Sequence, residues 1–216
     1  MPRLTASASG NWHDQGARLW GLRVTPYYTS VQDNIGAMPI CGPVCSGMPG
    51  SQLLFVNQKA RLYGIDVNGV FTLVDTSAAG ALRITGLGGF VRGQNMSMST
   101  NLYHMMPLHG TIALEHQRGQ WSSALQLHAV DRKTDVDAAR LEPETPGYTL
   151  VDLRTTYQWR SIRLDMAVTN LLDRQYENPL GGTWQSALYP PGYMGVTFRP
   201  LPAAGRSLDI GVTVKF

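Results

Sequence analysis

Residues 207–216 alternate without a fault. Leu208, Ile210, Val212, Val214 and Phe216 fall on one face, and Ser207, Asp209, Gly211, Thr213 and Lys215 on the other. A period of two held over ten residues predicts a strand with one apolar and one polar surface. The pattern recurs upstream. Trp20, Leu22, Val24, Pro26 and Tyr28 oppose Gly21, Arg23, Thr25, Tyr27 and Thr29. Tyr63, Ile65, Val67, Phe71 and Leu73 oppose Gly64, Asp66, Asn68 and Thr72. Val151, Leu153, Tyr157 and Trp159 oppose Asp152, Arg154, Thr156 and Gln158, and Ile162, Leu164, Met166 and Val168 oppose Arg163, Asp165, Ala167 and Thr169. No strong amphipathic helix interrupts them.

Turn residues divide the chain into predicted strands at 4–12, 20–29, 55–73, 81–92, 109–116, 121–130, 147–159, 162–168 and 207–216, with a short extra one at 193–198. Pro26 removes a ladder donor, which predicts a bulge or break at that point. The connections are tight near residues 14–16, 75–80, 118–120 and 160. They are expanded at 33–52, 93–107, 131–146 and 178–205. Tight and expanded connections alternate strictly, so the tight turns gather at one end of the sheet. Short periplasmic turns opposite long external loops are the signature of an outer-membrane barrel. The expected fold class is therefore all-β, an antiparallel transmembrane β-barrel. The count is nine strands if the first is real and eight if it is not. Eight could close on themselves; nine could not, and would belong to a larger wall, because every edge in lipid needs a partner.

Composition sharpens this. Charged residues make up 15% of the chain, against about a quarter in ordinary soluble domains. Gly (23), Tyr (9) and Trp (5) are abundant, as a lipid-facing wall with aromatic girdles requires. A secreted, lectin-like sandwich is the soluble alternative. The net charge of +3 comes with no run of Lys or Arg, so no nucleic-acid partner is expected. No window of eighteen apolar residues exists, which excludes a helical span. The opening Met1-Pro-Arg-Leu-Thr-Ala-Ser-Ala-Ser-Gly10 lacks the apolar core of a signal peptide, so the expectation is that an upstream part is missing.

Specific stretches then resemble a known family. Asn170-Leu-Leu-Asp-Arg-Gln-Tyr176 resembles the box near the end of TonB-dependent outer-membrane receptors. Gly205-Arg206-Ser207 with its following strand resembles the end of the same family. Asn57-Gln-Lys-Ala-Arg-Leu-Tyr-Gly-Ile-Asp66 resembles its mid-strand Gly and acidic segment, and Met106-Pro-Leu-His109 the re-entry of an external loop into the wall. Thr145-Pro-Gly-Tyr148 and Asn178-Pro-Leu-Gly-Gly182 look most like the branch described as copper receptors. The resemblance implies the outer membrane of a Gram-negative bacterium, a wall of 22 strands around an N-terminal plug, lipid around it and energy from the TonB complex. Against that pattern, residues 1–216 correspond to the last eight or nine strands, the C-terminal part of the barrel, with plug, remaining strands and signal peptide absent. The expected function is uptake, with copper as a candidate substrate and no bound cofactor. The alternatives are a small closed eight-stranded barrel of structural or adhesive role, and the secreted binding module.

No enzyme is expected. Arg23, Asp66, Arg154, Arg163, Asp165 and Asp209 fall on the polar faces, dispersed, with no Ser, His and acid brought together. His-Glu-x-x-His spacing is absent, and Gly86, Gly88 and Gly89 sit within a strand or bulge. The candidate metal residues are Met38, Cys41, Cys45 and Met48, soft sulfur donors suited to Cu(I). A Cys41–Cys45 disulfide is the preferred alternative in an oxidising exterior. Met96, Met98, Met105 and Met106 with His104 and His109 form a second soft patch, which gap-filling Met would also explain. Asn170 and Asp173 are read as caps for backbone donors where a strand ends, and Tyr176 as a rim aromatic.

Overall fold

A computed structural model describes residues 3–16, 19–40, 52–186 and 197–215. Alternation becomes strand throughout: β1 (Arg3–Ser7), β2 (Gly10–His13), β3 (Trp20–Pro39), β4 (Leu53–Thr76), β5 (Gly80–Asn95), β6 (Thr100–Asn101), β7 (His109–Arg118), β8 (Trp121–Val130), β9 (Tyr148–Trp159), β10 (Ile162–Thr169), β11 (Thr183–Ser186), β12 (Thr197–Pro200) and β13 (Ser207–Val214). The main sheet runs β1-β3-β4-β5-β7-β8-β9-β10-β13, all antiparallel, with β2 extending β1 along β3 and β6 folding back on β5. A separate hairpin pairs β11 with β12. The expected extra strand at 193–198 falls partly on undescribed residues; its described end belongs to β12.

The first strand is real, in two pieces, so nine strands cross the wall. With eight antiparallel steps between nine strands, the first and last run in the same direction. Pairing β1 with β13 would be parallel, so the closed eight-stranded alternative does not fit these strands. The sheet is an open path among the described residues.

The predicted disturbance at Pro26 lies in the neighbour. β3 runs through Pro26, which stays in register with Ile65 of β4. Opposite it, the edge strand lapses between β1 and β2: Ala8 donates to the Pro26 carbonyl at 3.3 Å, but Pro26 has no N–H to return. Two register shifts also escaped the alternation. One separates Val31 from Asn34 in β3, and the other Thr72 from Val74 in β4. The second removes Leu73 from the ladder and gives its outer place to Val74, opposite Leu82. β3 and β4 extend to Pro39 and from Leu53, so the first long connection is shorter than expected. At 20 and 24 residues, both strands exceed the roughly 9–11 needed to cross hydrocarbon.

Tight turns (14–19, 77–79, 119–120, 160–161) lie at one rim and the long connections (40–52, 96–108, 131–147, 170–206) at the other, as expected. The tightest hairpin places Arg160 at a φ of 51° and the one before it uses Gly119 at 56°.

Register carries one apolar row across many strands: Ile84, Leu114, Leu125, Leu153, Val168 and Leu208 are successive partners. This face is uncovered, with Ile210 73% and Val212 64% accessible. A soluble sandwich would bury it beneath a second sheet, and the described residues supply only the two-stranded β11–β12 hairpin besides the wall. Trp12, Trp20, Trp121 and Trp159 all lie on strand ends at the tight-turn rim, exposed, with Trp121 against Tyr157 at 4.6 Å. Tyr28 and Tyr63, paired across β3 and β4, mark the other rim. Trp20 and Tyr28 are separated by about 27 Å of strand, or roughly 20 Å of depth at barrel tilt. That is the height of an apolar band between two girdles. No helix among the described residues is long and apolar enough to cross a membrane.

Adjacent positions on β8 test the orientation. Leu125→Arg should lower unfolding free energy in lipid vesicles by about 2–4 kcal/mol, whereas Gln126→Arg on the opposite face should change it little. Equal costs at both positions would refute a lipid-facing surface.

Candidate functional site

Polar side chains gather on the inner face and at the long-loop rim. On the inner face the sheet register places Asp66, Gly89 and His109 in one row across β4, β5 and β7. A Cβ on Gly89 would lie 3.1 Å from both Asp66 Oδ1 and His109 Cε1, so the missing side chain lets acid and imidazole overhang the same spot. His109 Nδ1 is 3.0 Å from the Pro107 carbonyl. Next to it, Thr111 Oγ1 meets His128 Nδ1 at 2.8 Å. Of the predicted inner charges, Arg23, Arg163 and Asp165 are paired locally. Arg23 donates to Asn11 Oδ1 at 2.6 Å, and Arg163 bridges Asp165 at 2.8 Å while Thr156 donates to the same carboxylate. They furnish a polar lining and no convergent catalytic set.

Of the metal candidates, Cys41, Cys45 and Met48 lie outside the described residues. Met38 is half-buried on the polar-face side of β3, in register with Leu54. The second soft patch is only partly assembled. Met98 Sδ accepts from Gln58 Nε2 at 3.2 Å, and Gln58 is itself bonded by Asn95 Nδ2. Asn95 Oδ1 then accepts from the backbone N–H of Ser97 and Met98, which fixes the loop. The Met105 thioether lies over Gly93, 2.7 Å from where a Cβ would stand. Met106 turns away to pack on Val130, Tyr148 and Leu150, and Met96 is exposed. His104 stacks on Tyr103 at 4.1 Å. No group of three His, Cys, Asp or Glu among the described residues could hold a metal ion.

The stretch from Asn170 is structural, as expected. Asn170, buried and at a φ of 51°, donates to the Arg174 carbonyl and accepts from the Arg174 N–H, both at 2.8 Å. Its own N–H donates to Asp152. Asp173 accepts from Arg206 N–H at 2.9 Å, tying the start of the last connection to its end. Tyr176 is a rim aromatic that is partly buried. It stays at the long-loop rim but packs on Tyr148 at 4.5 Å beside Met106, within the buried cluster at the ends of β8 and β9.

One assembly escaped the sequence reading. Lys133 and Glu142 form an ion pair at 2.5 Å with side chains only 2% and 3% accessible. Lys133 also donates to the Pro179 carbonyl at 2.9 Å. Glu142 accepts from His104 N–H at 3.0 Å and Asp137 N–H at 2.8 Å. A 3-10 turn (Ala138–Arg140) is capped by Asp137, whose carboxyl burial pushes above the usual range. Arg140 caps the assembly from above, its guanidinium 4.7 Å from the Tyr103 ring and 5.8 Å from Phe55. This buried pair therefore joins three long connections at the rim. It also joins the stretches that begin at Thr145 and Asn178, since Thr145 bridges Lys133 through the backbone and Pro179 receives its ammonium. The available signal was the charged run from Asp131 to Glu142, which reads equally well as a solvated loop.

Removing one member of a buried ion pair leaves the other uncompensated. Glu142→Gln should destabilise the rim by about 3–5 kcal/mol, and Lys133→Met with Glu142→Leu by less than either single change. Hydrogen exchange at the His104 and Asp137 amides reads this; unchanged protection would show that the pair does not hold the loops.

Comparison with known proteins follows the same lines. Residues 4–171 match the family described as TonB dependent receptor-like, beta-barrel. Ferric aerobactin receptors of Escherichia coli and Klebsiella pneumoniae are each 23% identical over 161 residues, 74% of this chain and 21% of theirs. Among solved structures, the copper transporter OprC superposes with a TM-score of 0.78 at 20% identity, covering 100% of this chain and 31% of that one. The unliganded ferric citrate transporter FecA gives 0.70 at 14% identity, covering 98% and 31%. The chain thus spans between a fifth and a third of the length of these relatives.

Proposed function

The chain belongs to the TonB-dependent receptor-like β-barrel family, whose seat is the outer membrane of Gram-negative bacteria, and from this we propose that it forms the C-terminal part of an uptake receptor's wall. In that reading the remaining strands and a plug complete the barrel, and the TonB complex supplies the energy. The observation that supports it is the nine-strand antiparallel wall whose end strands run in the same direction, with sorted loops and an uncovered apolar face. Such a wall needs further strands before both edges are satisfied.

For the substrate we propose copper, in the reduced state that thioethers and thiolates favour. Support comes from Met98 and Met105 on the inner side of the rim, and from Met38 leading into the connection that bears Cys41, Cys45 and Met48. The structural likeness to a copper transporter agrees with this. Cys41 and Cys45 would either bind the ion or form the loop disulfide, and one experiment separates the two. Cu(I) titration of the full-length receptor should weaken on Met98→Leu with Met105→Leu. If the cysteines are ligands, Cys41→Ser with Cys45→Ser weakens it further; if they are bridged, that variant binds as before. Undiminished Cu(I) binding in the methionine variant would reject the soft rim as the copper path.

A further inference from the structure

On the inner face the ladder fixes one row: Thr25, Asp66, Gly89 and His109 are successive partners from β3 to β7. Asp66 lies three residues from Tyr63, roughly 10 Å down the strand from the upper girdle. Gly89 is buried, although it has no side chain of its own, because both neighbours lean over it. The point where its Cβ would stand is 3.1 Å from Asp66 Oδ1 and 3.3 Å from His109 Nε2. Among the described residues no ion pair joins the acid to the imidazole. The two flank one space without bridging it.

The imidazole is held for one kind of chemistry. Its Nδ1 lies 3.0 Å from the Pro107 carbonyl, and a carbonyl only accepts. In the neutral ring Nδ1 therefore carries the proton and Nε2 the lone pair. A backbone carbonyl that holds one ring N–H and leaves the other nitrogen free is the arrangement that orients metal-binding histidines. We propose that Asp66 Oδ1 and His109 Nε2 bind a divalent transition ion of the Zn(II) and Cu(II) class on the inner wall above Gly89. The donors select that class, because Ca(II) and Mg(II) take oxygen ligands and Cu(I) prefers sulfur. Two protein donors are too few for the closed four-ligand shell of a structural zinc. They suit an exchangeable site, with water in the positions that face inward. A side chain at position 89 would press on both donors. The seat lies four residues along β5 from Gly93, which the Met105 thioether covers. Its donors are nitrogen and oxygen, so it does not rest on the Cu(I) reading of the rim.

The test uses the full-length receptor, stripped of metal by a chelator. It carries Cys41→Ser with Cys45→Ser, so that thiolates take no part. Calorimetric titration with Zn(II) should show a site that weakens about tenfold or more on His109→Gln and on Asp66→Asn, since losing an outer-shell partner alone costs on the order of 10–100-fold. His116→Gln should leave it unchanged, because His116 bonds to Ala79 at the opposite rim. Electron paramagnetic resonance of bound Cu(II) reads the ligand directly. Coupling to an imidazole nitrogen should vanish in His109→Gln and persist in Asp66→Asn. Both replacements keep size and polarity and leave the backbone ladder alone, so the wall remains. Unchanged Zn(II) affinity in either His109→Gln or Asp66→Asn would overturn the proposal, as would displacement of Zn(II) by excess Ca(II).

Discussion

A peptide group facing hydrocarbon must be hydrogen-bonded within the protein, since no water is there to take its place. Every larger feature of this wall follows from that demand. It favours strands paired on both sides, forces the alternation of apolar and polar residues into one register, and confines irregularity to a missing donor or to the ends of the strands. Pro26 shows its strength. The residue that cannot donate remains in line, and the neighbouring edge strand lapses instead. The break falls on the side where β3 has only one further partner, while the β3–β4 ladder, deeper in the sheet, stays continuous.

The same demand explains how much of the fold the sequence displays. Strands β8, β9 and β10 were legible to within a residue or two, because one face is apolar and the other polar along most of their length. The upper part of β3 was not. Beyond Val31 it leaves the girdle at Tyr28, both surfaces become mixed, and Gly, Pro and Asn there read as loop although the ladder with β4 continues to Pro39. Leu73 was misplaced for a different reason. A bulge shifts register by one residue, and the displaced Leu73 and its replacement Val74 are both apolar, so alternation alone cannot locate the shift.

Site chemistry was less legible than the wall. The turn at Asn170 could be read because Asn170 carries its capping function locally, within four residues. The Lys133–Glu142 pair could not, because its partners His104 and Pro179 come from connections far apart in the chain. A charged run of this kind is ordinarily solvated; burial is decided by what packs over it, here the Arg140 guanidinium against Tyr103 and Phe55. The partner of Tyr176 was hidden likewise, since Tyr148 comes from the start of β9 and the contact between the rings leaves no mark in the sequence.

Glycine links the two faces. On the inner side, Gly64 lies under the Tyr27 ring, Gly89 under Asp66 and His109, and Gly93 under Met105, so that each absent side chain seats a polar or soft group from a neighbouring segment. On the outer side Gly86, Gly88 and Gly110 have no such occupant from the chain, and the space remains a trough. Strand pairing fixes both outcomes, because cross-strand neighbours are set by the ladder and not by the loops. Chemistry on the wall is therefore positioned by register with the rigidity of the sheet, whereas chemistry at the rim depends on a buried ion pair holding three connections together. A substitution that slips the register by one residue would exchange the two faces and abolish both the inner seats and the outer trough. Loss of the ion pair would loosen the rim and leave the wall intact.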